Sequence, residues 1–373
     1  MLRYVTTGES HGKCLAVIIE GFPSGVKIDT DWINEELRRR QQGYGRGGRQ
    51  RIETDKISIL GGVIRGISTG APIGLMVANA DVKIDEMPEL YRPRPGHADL
   101  SGALKYAQGI RAVLERASAR ETAVRVAAGA VAKLLLREFE IQSASRVLRI
   151  GAVSVEDSGE LSPEEIVRLT RGSEVNCTCR KTEKRMKEAI DEARRKKDTL
   201  GGIYEICISG LPAGLGSYAH HEDKLDGILA QALMSIQSVK AVEIGLGTAA
   251  GTLPGSLTHD EIFYDSARGY YRKTNRCGGL EGGMTNGSDL WIRVTMKPIA
   301  TLGQPLASVH MESKTAQKAD IERSDICAVP AGSVIGENAA AFAVAGAFLE
   351  KFGGDSLTEI RRNYEGYLKQ MRG

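Results

Sequence analysis

The sequence lacks the cysteine patterns and apolar runs that mark zinc, disulfide or membrane proteins. Its six cysteines form no C-x-x-C pair and no zinc-type Cys/His spacing, so we expect reduced thiols and no metal site. It has no run of about 18 apolar residues, and its strand-like start at Leu2 leaves no room for a signal peptide. These absences predict a cytoplasmic protein that does not enter a membrane.

An excess of charge of one sign is also missing. The chain of 373 residues has 50 Lys and Arg against 47 Asp and Glu, which gives a net charge of +3. Any functional positive field must therefore come from local clusters of basic residues. The sequence has no internal repeat and no Pro-rich or Ser-rich linker, so we expect a single domain over residues 1–373.

The order of apolar patterns predicts an α+β fold. Short strand-like runs occur at 13–19, 56–61 and 71–77, and others at 202–209, 241–245 and 291–296. A helix is expected over 31–42, and helix formers over 110–140 predict one long, largely buried helix. The remaining predicted helices, two of which follow capping boxes, begin near 163, 181, 224, 337 and 357.

Three short motifs match other families but lack the required context. Gly8-Glu9-Ser10-His11-Gly12 fits the nucleophile elbow of serine hydrolases, yet a strand follows where a helix is needed. The G-x-G pattern at 43–48 follows a basic helix, and the one at 245–250 meets Pro254 before any helix could begin. The sequence therefore favours neither a serine hydrolase nor a Rossmann fold.

Six arginines lie within fourteen residues, at 38, 39, 40, 46, 49 and 51. A nucleic-acid patch is one interpretation of this cluster. Most of these arginines flank a loop that contains Gly43, Gly45, Gly47 and Gly48, and forked guanidinium groups beside glycines suit a small polyanion. The sequence favours a small anionic substrate over nucleic acid.

Two further clusters of polar residues occur at 92–97 with 115–122, and at 323–325. Arg116 and Arg120 are four residues apart, so on one helix they would share a face. A binding surface and a salt-bridged helix surface are equally consistent with this spacing.

Taken together, these segments resemble chorismate synthases in order and spacing over nearly the whole chain. The matching stretches are 8–12, 43–47, 94–99, 115–122, 224–227, 278–285, 296–298 and 323–330. The resemblance implies a helical layer between two antiparallel sheets and a homotetramer. It also implies that the chain converts 5-enolpyruvylshikimate 3-phosphate to chorismate by 1,4-elimination, with reduced FMN required but no net redox change.

The resemblance also assigns roles to individual residues. His11 would assist the leaving phosphate, His97 would maintain the protonation state of the reduced flavin, and Asp325 would act with flavin N5 in removing the ring proton. Ser10 and Ser118 would orient these groups. The implied substrate contacts are Arg40, Arg46, Arg49, Arg94, Arg120 and Arg323. The implied FMN contacts are Arg116, Ala117, Ser118, Gln237, Ser238, Gly282, Lys297, Pro298, Ile299, Ala300, Thr301 and Arg323.

Two segments depart from the family pattern. Ala107 stands where Gly is expected, Gly109 stands where Asp is expected, and 220–223 differs from the usual His-Trp-Asp-Arg. The chain has no room for a flavin reductase domain, so we expect the monofunctional type, which receives reduced flavin from an external, NADP-linked reductase or another source. An RNA-binding module and a redox flavoprotein are the alternative functions.

Overall fold

Four antiparallel strands near the N-terminus form the first sheet. The computed structural model describes residues 1–48, 52–156, 159–266 and 269–372. Leu15, Val17 and Ile19 alternate along the second strand and are buried, whereas Ile18 between them is exposed, so one face of this sheet covers the core. The strands are, in spatial order, β1 (Arg3–Thr7), β2 (Cys14–Glu20), β6 (Ile73–Ala78) and β3 (Ile57–Gly61).

The second sheet has five antiparallel strands and is buried on both faces at its centre. In spatial order they are β10 (Val239–Ile244), β15 (Leu290–Met296), β9 (Gly202–Ser209), β7 (Gln142–Ile150) and β8 (Val153–Ser154). Tyr204 and Ile206 of β9 belong to the main core. Cys207 faces the other way and packs with Ile166 of α5 (Pro163–Thr170), so this helix covers part of the outer face.

A layer of helices lies between the two sheets. It contains α1 (Thr30–Gln41), α4 (Thr122–Arg137), α7 (Leu225–Met234) and α9 (Val329–Phe352). Helix α4 contacts the first sheet, α9 contacts the second, and the two helices pack against each other. They approach so closely that a Cβ added at Gly129 would lie 2.4 Å from the carbonyl oxygen of Asn338. This arrangement confirms the expected α+β fold with helices between two antiparallel sheets.

Helix α9 is the one described helix long and apolar enough to cross a membrane. However, 78% of its most apolar 18-residue window is buried inside the protein, as expected for a core helix. The sequence predicted a later start, at 337. The helix begins at Val329 because Pro330 lies in its first turn, where the N–H that proline lacks would have no helical partner.

A cluster of buried charges joins the helices of this layer. The Lys133 Nζ donates to Glu36 Oε2 at 2.7 Å and also to Glu337. Arg39 donates to Glu36 Oε1 at 2.6 Å and to Glu337 Oε2 at 2.9 Å. Burial acts to raise the pKa of both carboxyls, but the two cations outweigh it and hold each pKa below its ordinary value.

The prediction of one helix over 110–140 is wrong, because the helix is interrupted at Ser118. Helix α3 (Ile110–Ala117) ends there, a 3-10 helix covers Ala119–Glu121, and α4 then begins at Thr122. Ser118 has an extended backbone, and its side chain accepts a hydrogen bond from the backbone N–H of Arg120. The break also places Arg116 and Arg120 on different surfaces instead of on one helical face.

The other helices are α2 (Asp99–Tyr106), α6 (Arg180–Arg195), α8 (Gly255–Thr258) and α10 (Leu357–Arg372). Further 3-10 helices cover Ile84–Glu86, His221–Asp223 and Gly247–Thr252. Two-stranded hairpins pair β4 (Val63–Ile64) with β5 (Ile67–Ser68), β11 (Ile262–Asp265) with β12 (Gly269–Arg272), β13 (Leu280–Glu281) with β14 (Met284–Thr285), and β16 (Ala307–Val309) with β17 (Ala316–Lys318).

Candidate active site

A cavity of about 610 Å³ opens where α4 and α9 begin, and most of the predicted site residues line it. These residues come from seven separate segments of the chain, and their meeting in one place is the main result of the fold. The predicted residues in its wall are Ser10, His11, Arg40, Arg46, Arg94, His97, Ala117, Ser118, Arg120, Gln237, Ser238, Lys297, Ile299, Ala300, Thr301, Arg323 and Asp325.

Three predicted FMN contacts do not line this cavity. The guanidinium of Arg116 turns to the backbone carbonyls of Thr6 and Gly8, at 3.1 and 3.0 Å. Gly282 lies in the turn of the β13–β14 hairpin, and Pro298 is left out of the lining although Lys297 and Ile299 are part of it. Arg49 lies outside the described residues.

Ser10 and His11 occupy the loop between β1 and β2, which confirms that the G-x-S-x-G motif is not a strand–turn–helix elbow. The His11 Nδ1 lies 3.0 Å from Glu115 Oε1, and the backbone N–H of His11 donates to Glu115 Oε2 at 2.8 Å. Burial acts to raise the pKa of Glu115, but the hydrogen bonds from His11 lower it overall. An ionised Glu115 thus fixes the ring of His11 through Nδ1, while Nε2 lies 3.8 Å from Asp81 Oδ2.

His97 has a similar carboxylate partner. Its Nδ1 lies 2.6 Å from Asp99 Oδ1, while Arg94 donates to both oxygens of Asp99 at 2.8 and 2.9 Å. Burial acts to raise the pKa of Asp99, but the hydrogen bonds from His97 and Arg94 hold it well below its ordinary value. Arg94 Nη2 lies farther from the same Nδ1, at 3.1 Å. An ionised carboxylate only accepts hydrogen bonds, so the shorter contact with Asp99 favours a proton on Nδ1 of His97.

The buried carboxylate of Asp55 contacts two of the arginines that line the cavity. Arg40 donates to the Ala119 carbonyl at 2.9 Å and lies 3.4 Å from Asp55 Oδ2, and Arg120 donates to Asp55 Oδ1 at 2.6 Å. Burial lowers the pKa of Arg40 to about 9, and repulsion from Arg46 and Arg120 acts in the same direction, against the attraction of Asp55. The wall therefore holds cations that repel one another, and an anionic ligand would relieve this repulsion.

Arg46 and Asp325 form an ion pair that joins the loop containing Gly43, Gly45, Gly47 and Gly48 to the segment before α9. Arg46 Nη1 lies 2.7 Å from Asp325 Oδ2, and the backbone N–H of Gly47 donates to Asp325 Oδ1 at 2.6 Å. The Nε of Arg46 is buried and has no hydrogen-bond partner among the described residues. The guanidinium therefore keeps part of its donor capacity for a ligand.

The opposite part of the wall combines a strained turn with a second basic region. Ser238 has φ of 70°, a conformation that few non-glycine residues adopt, and its carbonyl accepts from the Lys297 N–H at 2.8 Å. The Oε1 of Gln237 is buried without a hydrogen-bond partner among the described residues. Burial and the nearby Lys240 lower the pKa of Lys297.

Sequence reasoning missed the acidic residues that support the site. Asp99, Glu115 and Asp55 touch the predicted histidines and arginines, but none was assigned a role. Two of them lie inside motifs that the sequence singled out. Their spacing alone gave only a weak signal, since Glu115 is separated from His11 by 104 positions.

Comparisons with known proteins identify the family to which the chain belongs. The family model described as "Chorismate synthase" matches residues 2–349. The chorismate synthase of Carboxydothermus hydrogenoformans is 53% identical, with 100% of this chain and 99% of that protein covered. The enzyme of Geobacter sulfurreducens is 52% identical, with 100% of both chains covered. A solved structure entitled "Crystal Structure of Chorismate Synthase" superposes with a TM-score of 0.83 at 40% identity, covering 100% of this chain and 98% of the other. The chain therefore belongs to the chorismate synthase family.

Proposed function

We propose that the chain converts 5-enolpyruvylshikimate 3-phosphate to chorismate and phosphate by 1,4-elimination, with reduced FMN bound in the same cavity. Membership of the family makes the chain a lyase of the shikimate pathway. One observation carries the finer proposal: Arg40, Arg46 and Arg120 line the same cavity as His11 and His97. Groups that bind anions and groups that move protons thus face one space.

The arginines suit the charge of this substrate, which carries two carboxylates and a phosphate. Charge-assisted hydrogen bonds from guanidinium groups are stronger than neutral ones, and several of them can hold a polyanion in one orientation. The Nε of Arg46 has no partner within the part of the chain that the structure describes, and Arg40 lies among other cations that a phosphate would neutralise. The same groups would stabilise the phosphate as it leaves.

His11 is the residue that we propose to assist the departing phosphate. Glu115 holds its Nδ1, so Nε2 is the nitrogen that would donate the proton. Arg46 and the Gly47 N–H hold the carboxylate of Asp325. We propose that Asp325 acts with flavin N5 in removing the ring proton.

The residues around Gln237 and Lys297 fit a flavin. No described residue donates to the buried Gln237 Oε1, and an N–H of the isoalloxazine ring would supply a donor. Lys297 and Arg323 would face the flavin phosphate or the anionic reduced ring, and His97 would maintain its protonation state. When bound, the reduced flavin would supply electron density that weakens the allylic carbon–oxygen bond.

An anaerobic assay tests the reaction. The full chain is mixed with reduced FMN and 5-enolpyruvylshikimate 3-phosphate, and phosphate release and flavin absorbance are recorded together. We expect many phosphates per enzyme while the flavin stays reduced. Stoichiometric flavin oxidation would instead indicate a redox flavoprotein, and oligonucleotide binding that weakens with salt, without phosphate release, would indicate an RNA-binding module.

Two histidine variants provide a matched comparison for the same assay. His11→Ala should lower turnover by about a hundredfold or more if His11 transfers a proton. His259→Ala changes an exposed histidine outside the cavity and should leave turnover unchanged. Equal rates for both variants would reject the role of His11.

We propose also that the enzyme works as a homotetramer in the cytoplasm and receives reduced flavin from a separate reductase. The resemblance to the family supports these points. Sedimentation velocity measures the oligomeric state. Dependence of aerobic turnover on an added NADPH-driven flavin reductase measures the need for an external supply.

A further inference from the structure

A second cavity, of about 790 Å³, lies at the other end of α1 from Arg40. It is called here the Trp32 cleft and is defined by Trp32, Leu136, Arg137, Ser143, Val167 and Arg171. The lining of this cleft shares no residue with that of the first cavity. Trp32 and Arg40 are separated by eight residues of one helix, or about 12 Å along its axis.

Two buried polar atoms in this cleft lack partners. The Trp32 Nε1 and the Ser143 Oγ have no hydrogen-bond partner among the described residues. A buried donor without a partner is unfavourable, because it has given up its hydrogen bonds to water. An acceptor atom seated between α1 and the start of β7 would remove this cost, and a carboxylate oxygen can accept from both donors.

The charge of the cleft favours an anion. The Arg137 guanidinium lies 4.5 Å from the centre of the Trp32 ring, and within the described residues neither Arg137 nor Arg171 forms a salt bridge. Glu140 and Glu164 also line the cleft, and they are exposed to the same degree as Arg137 and Arg171. Arg168 adds a third guanidinium, so basic groups outnumber acidic ones around the opening.

The rest of the wall is apolar. Leu136 and Ile141 are buried at 2% and 1% exposure, and Val167 of α5 is 51% exposed. An inorganic ion could not use these surfaces, whereas an organic molecule could cover them.

We propose that the Trp32 cleft binds a small organic carboxylate with an apolar body. The carboxylate would accept from Trp32 Nε1 and Ser143 Oγ and pair with Arg137 or Arg171. The apolar body would lie against Leu136 and Val167. Binding there needs neither flavin nor the substrate of the proposed reaction.

Tryptophan fluorescence tests the proposal directly. The chain has two tryptophans, so a Trp291→Phe variant leaves Trp32 as the only reporter. Cyclohexanecarboxylate serves as the probe because it is transparent in the near ultraviolet, and cyclohexanecarboxamide is its uncharged match. We expect a saturable change with the carboxylate and none with the amide or with inorganic phosphate.

Variants locate the site. Arg171→Gln and Ser143→Ala should each weaken the response about tenfold. Arg185→Gln on the surface of α6 and Arg46→Ala in the first cavity should leave it unchanged. A response that does not saturate, that the amide reproduces, or that Arg46→Ala removes would overturn the proposal. Because the titration uses no flavin and no turnover, its failure would leave the proposed reaction untouched.

Discussion

His97 Nδ1 lies 2.6 Å from Asp99 Oδ1, a carboxylate that is 1% exposed and also held by Arg94. The pair therefore fixes which nitrogen of His97 faces the cavity. Carboxylates that orient a functional histidine commonly matter almost as much as the histidine.

Replacing Asp99 with Asn should lower kcat by about 10- to 100-fold with a smaller change in KM. The amide keeps the shape of the side chain but no longer requires a proton on Nδ1 of His97. Anaerobic steady-state kinetics measure both constants, with Asp226→Asn as the control, because Asp226 lies in the first turn of α7 and does not line the first cavity. An unchanged kcat in a folded Asp99→Asn enzyme would contradict an orienting role.

Arg46→Ala should weaken substrate binding about 10- to 100-fold, because a guanidinium that pairs with an anion is worth about 1.5–3 kcal/mol. Arg46→Lys keeps the positive charge but lacks the forked guanidinium group, so its substrate affinity should lie between those of the wild type and Arg46→Ala. Equilibrium titration of the substrate gives the dissociation constants. Arg38→Ala is the matched control, since Arg38 pairs with Glu35 on the solvent side of α1. Wild-type affinity in Arg46→Lys would show that charge alone suffices.

Lys133→Met should lower the free energy of unfolding by about 3–5 kcal/mol at pH 7, because it leaves Glu36 and Glu337 buried with only Arg39 as cation. Both carboxyls have a lowered pKa, so the stability they add is present above the ordinary carboxyl range and is lost as the pH falls. The difference between wild type and variant should therefore shrink below about pH 4. Urea unfolding from about pH 3 to pH 7 measures this difference in the free energy of unfolding. Lys187→Met is the control, because it removes an exposed ion pair with Glu174 and should change the free energy of unfolding little. A difference that stays constant with pH would contradict the ion-pair account.

Two glycines in the central helices should respond in opposite ways to alanine. At Gly129 a Cβ would meet Asn338 at 2.4 Å, so Gly129→Ala should cost about 1–3 kcal/mol. At Gly346 nothing lies within 4 Å, so Gly346→Ala should stabilise α9 by about 0.5–1 kcal/mol. Urea unfolding of both variants makes the comparison. Equal effects would show that the contact between α4 and α9 is not tight.

The sequence departure at Ala107 should have a cost in stability. Ala107 ends α2 with φ of 50° and ψ of 46°, a left-handed conformation in which glycine has no steric penalty. Ala107→Gly should raise the free energy of unfolding by about 1 kcal/mol and leave turnover unchanged, because Ala107 is exposed and does not line the first cavity. A loss of stability would contradict this explanation.

Much of the fold could be predicted because its strands repeat with a period of two and its helices carry clear caps. The strand over Gly202–Ser209 and the capping box at Ser162 lie where the sequence placed them. The break at Ser118 could not be predicted, because the local sequence favours helix throughout. Contacts with distant residues stabilise the extended backbone there: Ser118 Oγ donates to Ser10 Oγ, and Arg40 donates to the Ala119 carbonyl.

The arginine cluster shows why the site was only partly predictable. Arg38, Arg39 and Arg40 are consecutive, so on a helix they point in directions about 100° apart. Arg38 stays on the surface, Arg39 joins the buried charges, and only Arg40 reaches the first cavity. The local arginine cluster predicted an anion site, while the helical phase determines that Arg40 is the one of these three arginines that lines the first cavity.

The two central helices, α4 and α9, both begin at the wall of the first cavity, where Thr122 and Ala328 lie. A helix start carries a partial positive charge from its aligned peptide groups. This part of the attraction for a phosphate belongs to the main chain, so no side-chain replacement can delete it. A variant in which several of these arginines are replaced should therefore still bind anions more tightly than neutral analogues. That remaining selectivity would come from the backbone of α4 and α9.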